Sequence, residues 1–198
     1  TNFIYGGDAD FDNMKGFAIA NGFDRVIDRG DFPRNIPGNM WGVNDEYVFE
    51  FAKSILDTSQ TPVFITLFTT TNHQPWEVPE NKQNLIPHFE NMEVNNPAVL
   101  RTMAYTDLII GEFFHENESK EWIQNSIFIF ISDHGINEYS VMYEDPRNAH
   151  IPFVIYAPGI ISNSVTMDKL TSQVDVVPTI LHLIGFPEPF DLMGSNLL

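Results

Sequence analysis

Apolar residues along the chain follow two rhythms. Near-continuous runs at residues 3–5, 62–68 (PVFITLF), 126–132 (SIFIFIS) and 151–157 (IPFVIYA) read as short strands, the longer ones buried on both faces. Between them, apolar positions recur at helical spacing. Phe11, Met14, Phe17 and Ala18 share one face, with Asp8 or Asp10 placed to cap the helix and Asn21-Gly22 to end it. Asn44 is a good cap for a second helix, with Asp45 and Glu46 in its first turn, where the helix dipole favours acids. Its apolar face is Tyr47, Val48, Phe51, Ala52, Ile55 and Leu56. A long helix over residues 97–115 groups Leu100, Met103, Ala104, Leu108 and Gly111, with Asp107 on the same side. Asp175 caps a final helix that tolerates Pro178 in its first turn and stops at Gly185. Residues 31–41, 77–97 and 136–149 are loops, the second long enough to suggest a binding loop or lid. Strands alternating with amphipathic helices predict an α/β fold, layered α/β/α around a mostly parallel central sheet.

Composition narrows the function. The 198 residues carry 10 Lys+Arg against 27 Asp+Glu, a formal charge of −17. Such a surface is a poor partner for nucleic acid or anionic lipid, both of which need a basic face. Absence of cysteine excludes disulfides, zinc-thiolate centres and cysteine nucleophiles from this segment. No apolar run approaches the ~18–20 residues of a membrane span, and none resembles a signal peptide. The chain opens on Thr1 and enters a strand at once, so it reads as part of something longer.

In open α/β sheets, sites gather beyond the carboxyl ends of the strands. Asn72-His73 follows PVFITLF there, and Asp133-His134-Gly135 follows SIFIFIS. Asp and neutral His suit a divalent cation, and Gly135 permits the tight turn that aims neighbouring ligands at one point. The same residues also read as ordinary hydrogen bonding at strand ends. His73 could cap a turn beside Pro75, and His150, before Ile151-Pro152, could be a surface histidine. His88, His115 and His182 have no evident partner, and His182 reads as a packing residue in an apolar helix. The 17 Phe read as core.

Taken in order, FIYGGDADFDNM, TTTNHQPW, AYTDLIIGEFF, FIFISDHG, HIPFVIYAPG, SQVDVVPTILHLIG and MGSNLL resemble the sulfatase branch of the alkaline phosphatase superfamily. Within it they are similar to the extracellular catalytic domains of lipoteichoic acid synthase-like and phosphoglycerol transferase proteins. The resemblance implies that residues 1–198 are the C-terminal portion of such a domain, truncated on its N-terminal side. It implies a divalent metal, Mn²⁺ first with Zn²⁺, Mg²⁺ or Ca²⁺ as alternatives, with Asp133 and His134 as ligands. His73 is then the catalytic and substrate-contacting histidine. Asn72, Asp8 and His150 are further substrate contacts, His150 matching a histidine that many superfamily members place beside the metal. The substrate is an anionic phosphate- or sulfate-bearing envelope lipid or glycan, met at the extracytoplasmic (periplasmic) face of the membrane by a full-length anchored protein.

Two departures qualify the resemblance. A tryptophan and an arginine typical of lipoteichoic acid synthases are replaced around Asp12 and Met14, which bears on polyglycerol-phosphate specificity. The family's nucleophilic threonine and a metal-binding glutamate belong upstream of FIYGG, so this segment alone is expected to be inactive. Thr69, Thr70 and Thr71 match the stretch before the substrate histidine and are rejected as nucleophile. The alternatives are an arylsulfatase-type hydrolase with water as acceptor, and a non-catalytic relative that binds a glycan or partner through residues 77–97.

Overall fold

A computed structural model describes residues 1–89, 92, 96–135, 146–187 and 191–198. It divides into two compact units, Thr1–Ile160 and Ile161–Leu198. The polar loop expected over 136–149 falls mostly outside the described residues, as do positions 90, 91 and 93–95 of the 77–97 excursion.

The larger unit holds β1 (Asn2–Tyr5), α1 (Met14–Ala20), β2 (Arg25–Ile27), α2 (Asp45–Thr58) and β3 (Ile65–Phe68). It continues with α3 (Pro97–Asn117), α4 (Glu121–Gln124), β4 (Phe128–Ile131) and β5 (Phe153–Tyr156). β1 pairs in parallel with β2 on one side and β3 on the other, in the order β2-β1-β3. The central position buries Ile4 completely, while β2, absent from the sequence pattern, is too short and charged to show as an apolar run. β4 and β5 form a separate antiparallel pair, with Phe128 opposite Tyr156 and Ile131 opposite Phe153. The α/β class is as expected, but the single central sheet is two among the described residues. β3 and β4, within PVFITLF and SIFIFIS, are half-buried rather than buried on both faces, with no buried residue in either strand. Phe64, before β3, is 50% exposed.

Two apolar clusters carry the packing. Val48 and Ala52 of α2 meet Ile4, Ile27, Phe32 and Val43. Tyr105, Ile109 and Phe113 of α3 meet Phe49, Val78 and Ile86. Each fully buried aliphatic side chain contributes about 1.5–3 kcal/mol relative to exposure. The stripe of α3 that is buried is Val99, Thr102, Tyr105, Ile109 and Phe113, rotated from the expected one, and Met103 and Asp107 face outward. Tyr105 decides the rotation, because its large ring fills the space between α2 and α3. The α1 face also differs. Only Ala18 is buried, Phe11 and Phe17 are exposed, and neither Asp8 nor Asp10 caps the helix.

Arg101 fastens the excursion after β3 to α3 by donating to the carbonyls of Gln83, Ile86 and Pro87. Lys82 pairs with Glu112 on the same helix. At the other end of α2, Asp57 accepts from Lys53 Nζ (2.7 Å), Lys120 Nζ (2.9 Å) and Trp122 Nε1 (3.0 Å). These donors hold its carboxyl well below the usual range. A depressed folded-state pKa gives stability that is complete above the unfolded value of about 4 and is lost as pH falls below it. Asp57→Ala is therefore expected to destabilise by about 1 kcal/mol at neutral pH. Urea denaturation should show that difference narrowing steadily below about pH 4; a pH-independent difference would contradict the ion-pair account.

The smaller unit carries α5 (Val176–Leu183), ended by Gly185 at φ +68°. Asp175 stands at its start, but its carboxylate accepts from Ser172 N (2.8 Å) and Ser195 N (2.7 Å) instead of capping α5. His182 is exposed, not packed in a core.

Candidate active site

Parallel pairing brings the carboxyl ends of β1 and β3 to one edge of the sheet. At that edge Gly6-Gly7 allow the loop carrying Trp41 to close onto the backbone. Val43 N donates to Gly6 O at 2.9 Å, and Arg29 N donates to Gly7 O at 2.8 Å. A Cβ on Gly42 would lie 2.4 Å from Gly6 O, so only glycine fits the contact. Trp41 then reaches the segment after β3: its indole N–H donates to Gln74 O, and its ring lies 4.2 Å from that of His73. His73 is exposed, with Nδ1 3.0 Å from Gln74 O. Asn72 Nδ2 donates to Thr106 Oγ1 of α3 at 3.0 Å.

Beneath this segment lies Asp45, fully buried at the first position of α2. Its carboxylate accepts from Thr70 N (2.9 Å) and Thr71 N (3.3 Å). Burial pushes its pKa up, against the pull of those N–H donors. The neighbouring Glu46 accepts from the Tyr105 hydroxyl of α3, and burial together with Glu46 drives that phenol upward. Thus α2, the β3 exit and α3 are tied together directly under Asn72-His73. The sequence presents Asp45 and Glu46 as ordinary acids of a helix start; their position after Trp41-Gly42-Val43-Asn44 was the available signal. Thr70 and Thr71 are buried at 7% and 4% exposure, which suits backbone anchoring and not nucleophilic attack. Asp8 lies past the end of β1, exposed, with Oδ1 accepting from Asp10 N at 3.0 Å.

The second cluster stands at one end of the β4–β5 pair. Asp133 Oδ1 accepts from His134 N at 2.9 Å, and Asp133 Oδ2 lies 3.6 Å from His134 Nε2. His134 Nδ1 is 2.9 Å from Gly135 O. With Nδ1–H donating to that carbonyl, the Nε2 lone pair remains for a cation beside a carboxylate oxygen, the arrangement metal-ligating histidines use. Gly135 packs so closely on the next segment that an added Cβ would lie 1.9 Å from Asn148 O and 3.4 Å from His150 O. The fold therefore brings Asp133-His134 and the His150 backbone to one place. Among the described residues no group of three or more His, Asp or Glu side chains forms a complete metal cage. His88 lies against Arg101, and His115 is exposed on α3.

Comparison with known proteins gives the family. The family model described as Sulfatase matches residues 1–186. Lipoteichoic acid synthase-like YvgJ of Bacillus subtilis is 30% identical over 195 residues, covering 89% of this chain and 31% of its own length. Arylsulfatase K of Canis lupus familiaris is 32% identical over 123 residues, covering 59% of this chain and 23% of its own. A crystal structure of an alkaline phosphatase superfamily protein from Vibrio parahaemolyticus superposes with a TM-score of 0.81 at 30% identity, over 100% of this chain and 47% of that one. The chain thus spans about a third or less of these curated relatives and about half of the solved structure. With the family model matched across nearly its whole length, an α/β fold of the alkaline phosphatase type and polar clusters at the strand ends, the chain belongs to the sulfatase family.

Proposed function

We propose that this chain is the C-terminal portion of a metal-dependent phosphoryl transferase of the phosphoglycerol-transferase type, acting on an envelope lipid or glycan outside the cytoplasmic membrane. The observation that carries the reading is the Asp133–His134–Gly135 turn held against His150. Asp133 and His134 would hold a divalent cation, Mn²⁺ in this proposal. Bound there, the cation supplies charge neutralisation at phosphate or sulfate oxygens, which offsets the −17 charge of the chain. His73, exposed and oriented by Trp41, would donate a hydrogen bond to a non-bridging oxygen or a proton to the leaving group. Asn72, Asp8 and His150 complete the substrate contacts.

A phosphate substrate is preferred to a sulfate ester because the match to the lipoteichoic acid synthase-like relative runs over 89% of the chain and that to arylsulfatase K over 59%. The proposal assigns the nucleophilic threonine, a further ligating glutamate and the membrane anchor to sequence outside residues 1–198. No helix of the described residues is long and apolar enough to cross a membrane.

Calorimetric titration with Mn²⁺ tests the site. In the full-length protein the wild type is expected to bind, and the Asp133→Ala/His134→Ala double variant to lose binding. Equal affinity in both would sink the metal assignment.

A further inference from the structure

Residues 41–45 hold the His73 segment at both of its ends. At its start, the Asp45 carboxylate accepts from Thr70 N and Thr71 N. At its far end, the Trp41 indole N–H donates to Gln74 O. Between them, Asn72 is tied to Thr106, and Trp76, at φ +61°, donates from its N to His73 O at 3.0 Å. The holding stretch is itself fixed. Asn39 Oδ1 accepts from Trp41 N at 2.8 Å and from Gly42 N at 3.3 Å, and Arg29 Nη1 donates to Asn39 O at 3.1 Å. Val43 N is tied to Gly6 O, and Asn44 N donates to Pro37 O at 3.1 Å. Two anchors of the segment therefore stand on one braced piece of backbone.

The anchors reach the imidazole through a single oxygen. His73 Nδ1 lies 3.0 Å from Gln74 O, the carbonyl that also takes the indole N–H. A carbonyl oxygen accepts and never donates, so this contact is a hydrogen bond only when Nδ1 carries the proton. A free histidine side chain prefers the opposite tautomer, with its proton on Nε2. The fold thus works against the intrinsic preference of the ring. With Nδ1 engaged, Nε2 is the nitrogen left for substrate. It accepts from a hydroxyl when the ring is neutral and donates to an oxyanion when the ring is protonated.

We propose that Asp45 and Trp41 are positioning residues that fix His73 as its Nδ1–H tautomer with Nε2 toward substrate. Asp45 acts through the N–H groups of Thr70 and Thr71, and Trp41 through the Gln74 carbonyl. This deepens the functional reading and rests on it only for the contact of His73 with substrate.

The test is a long-range ¹H–¹⁵N NMR spectrum of the full chain with ¹⁵N-labelled histidine, in EDTA at about pH 9, above the ordinary histidine range. Wild-type His73 is expected to show a protonated Nδ1 and a bare Nε2. Trp41→Phe keeps a ring against the imidazole but removes the N–H that pins Gln74 O. Asp45→Asn, chosen because it folds more readily than Asp45→Ala, sets an NH₂ against one of the two backbone donors. Both variants are expected to shift His73 toward the Nε2–H pattern, while His115, exposed on α3, keeps its wild-type signals. A residue that only packs the loop would lower stability and leave the His73 pattern as it is. A wild-type ring protonated on Nε2, or either variant retaining the wild-type pattern, would overturn the assignment. Neither activity nor metal enters this measurement, so its failure is distinct from failure of the Mn²⁺ titration.

Discussion

Asp45→Ala is expected to lower the stability of the chain by about 3 kcal/mol, since two buried N–H groups lose their acceptor at about 1–3 kcal/mol each. Thr70 and Thr71 are buried, and the Asp45 carboxylate is the acceptor of both their N–H groups. Asp45→Asn, of the same shape, keeps one acceptor oxygen and is expected to recover more than half of the loss. Urea denaturation followed by circular dichroism measures both. A second readout separates the local role from the global one. Trp41 packs on His73, two residues beyond Thr71, so its fluorescence should shift in the alanine variant under native conditions. A loss below about 1 kcal/mol, the worth of an ordinary exposed contact, would show that the carboxylate does not hold the segment.

Gly135→Ala is expected to weaken Mn²⁺ binding by the full-length protein about 10- to 100-fold, the usual effect of disturbing the groups that orient metal ligands. The new methyl would lie 1.9 Å from Asn148 O and 2.9 Å from the carbon that bears it, both main-chain atoms with no side chain to swing away. The Asp133-His134 turn and the His150 segment must separate. Stability should fall by only about 1–3 kcal/mol, the range for local overpacking. Gly111→Ala is the control: nothing lies within 4 Å of its added Cβ, and alanine favours a helix, so Mn²⁺ affinity should not change. Calorimetry on both variants decides the matter. An unchanged affinity in Gly135→Ala would mean that Asp133 and His134 do not depend on their contact with the His150 segment.

Part of the candidate site is legible in the sequence. Asn72-His73 and Asp133-His134 stood out because polar residues directly after apolar strand runs mark the end of a strand where α/β folds place their chemistry. Asp45 did not stand out, since an acid in a first helical turn is ordinary, and only the third dimension brings Thr70 and Thr71 to it. Trp41 and Trp76 were equally silent. An aromatic residue in a loop gives no sign of its backbone angle or of the ring beside it. The α3 stripe was misplaced for a related reason. Leu100, Met103 and Leu108 are more apolar than Thr102, but Tyr105 has the largest ring to bury, and Thr102 can turn its hydroxyl onto Val99 O at 2.9 Å.

The sequence by itself determined the alternation of strand and helix, the helix stops at Gly22 and Gly185, the acidic charge, and the family, through motifs kept in order. Those properties are local, set by side-chain periodicity, backbone permissiveness and residue type. Tertiary structure alone decided which strands pair, which helix face turns inward, and which separated residues meet. Those outcomes depend on competition among many apolar groups for limited buried volume and on close backbone approach. The contacts of Gly42 with Gly6 and of Gly135 with Asn148 are of that kind, and no single stretch of sequence records them.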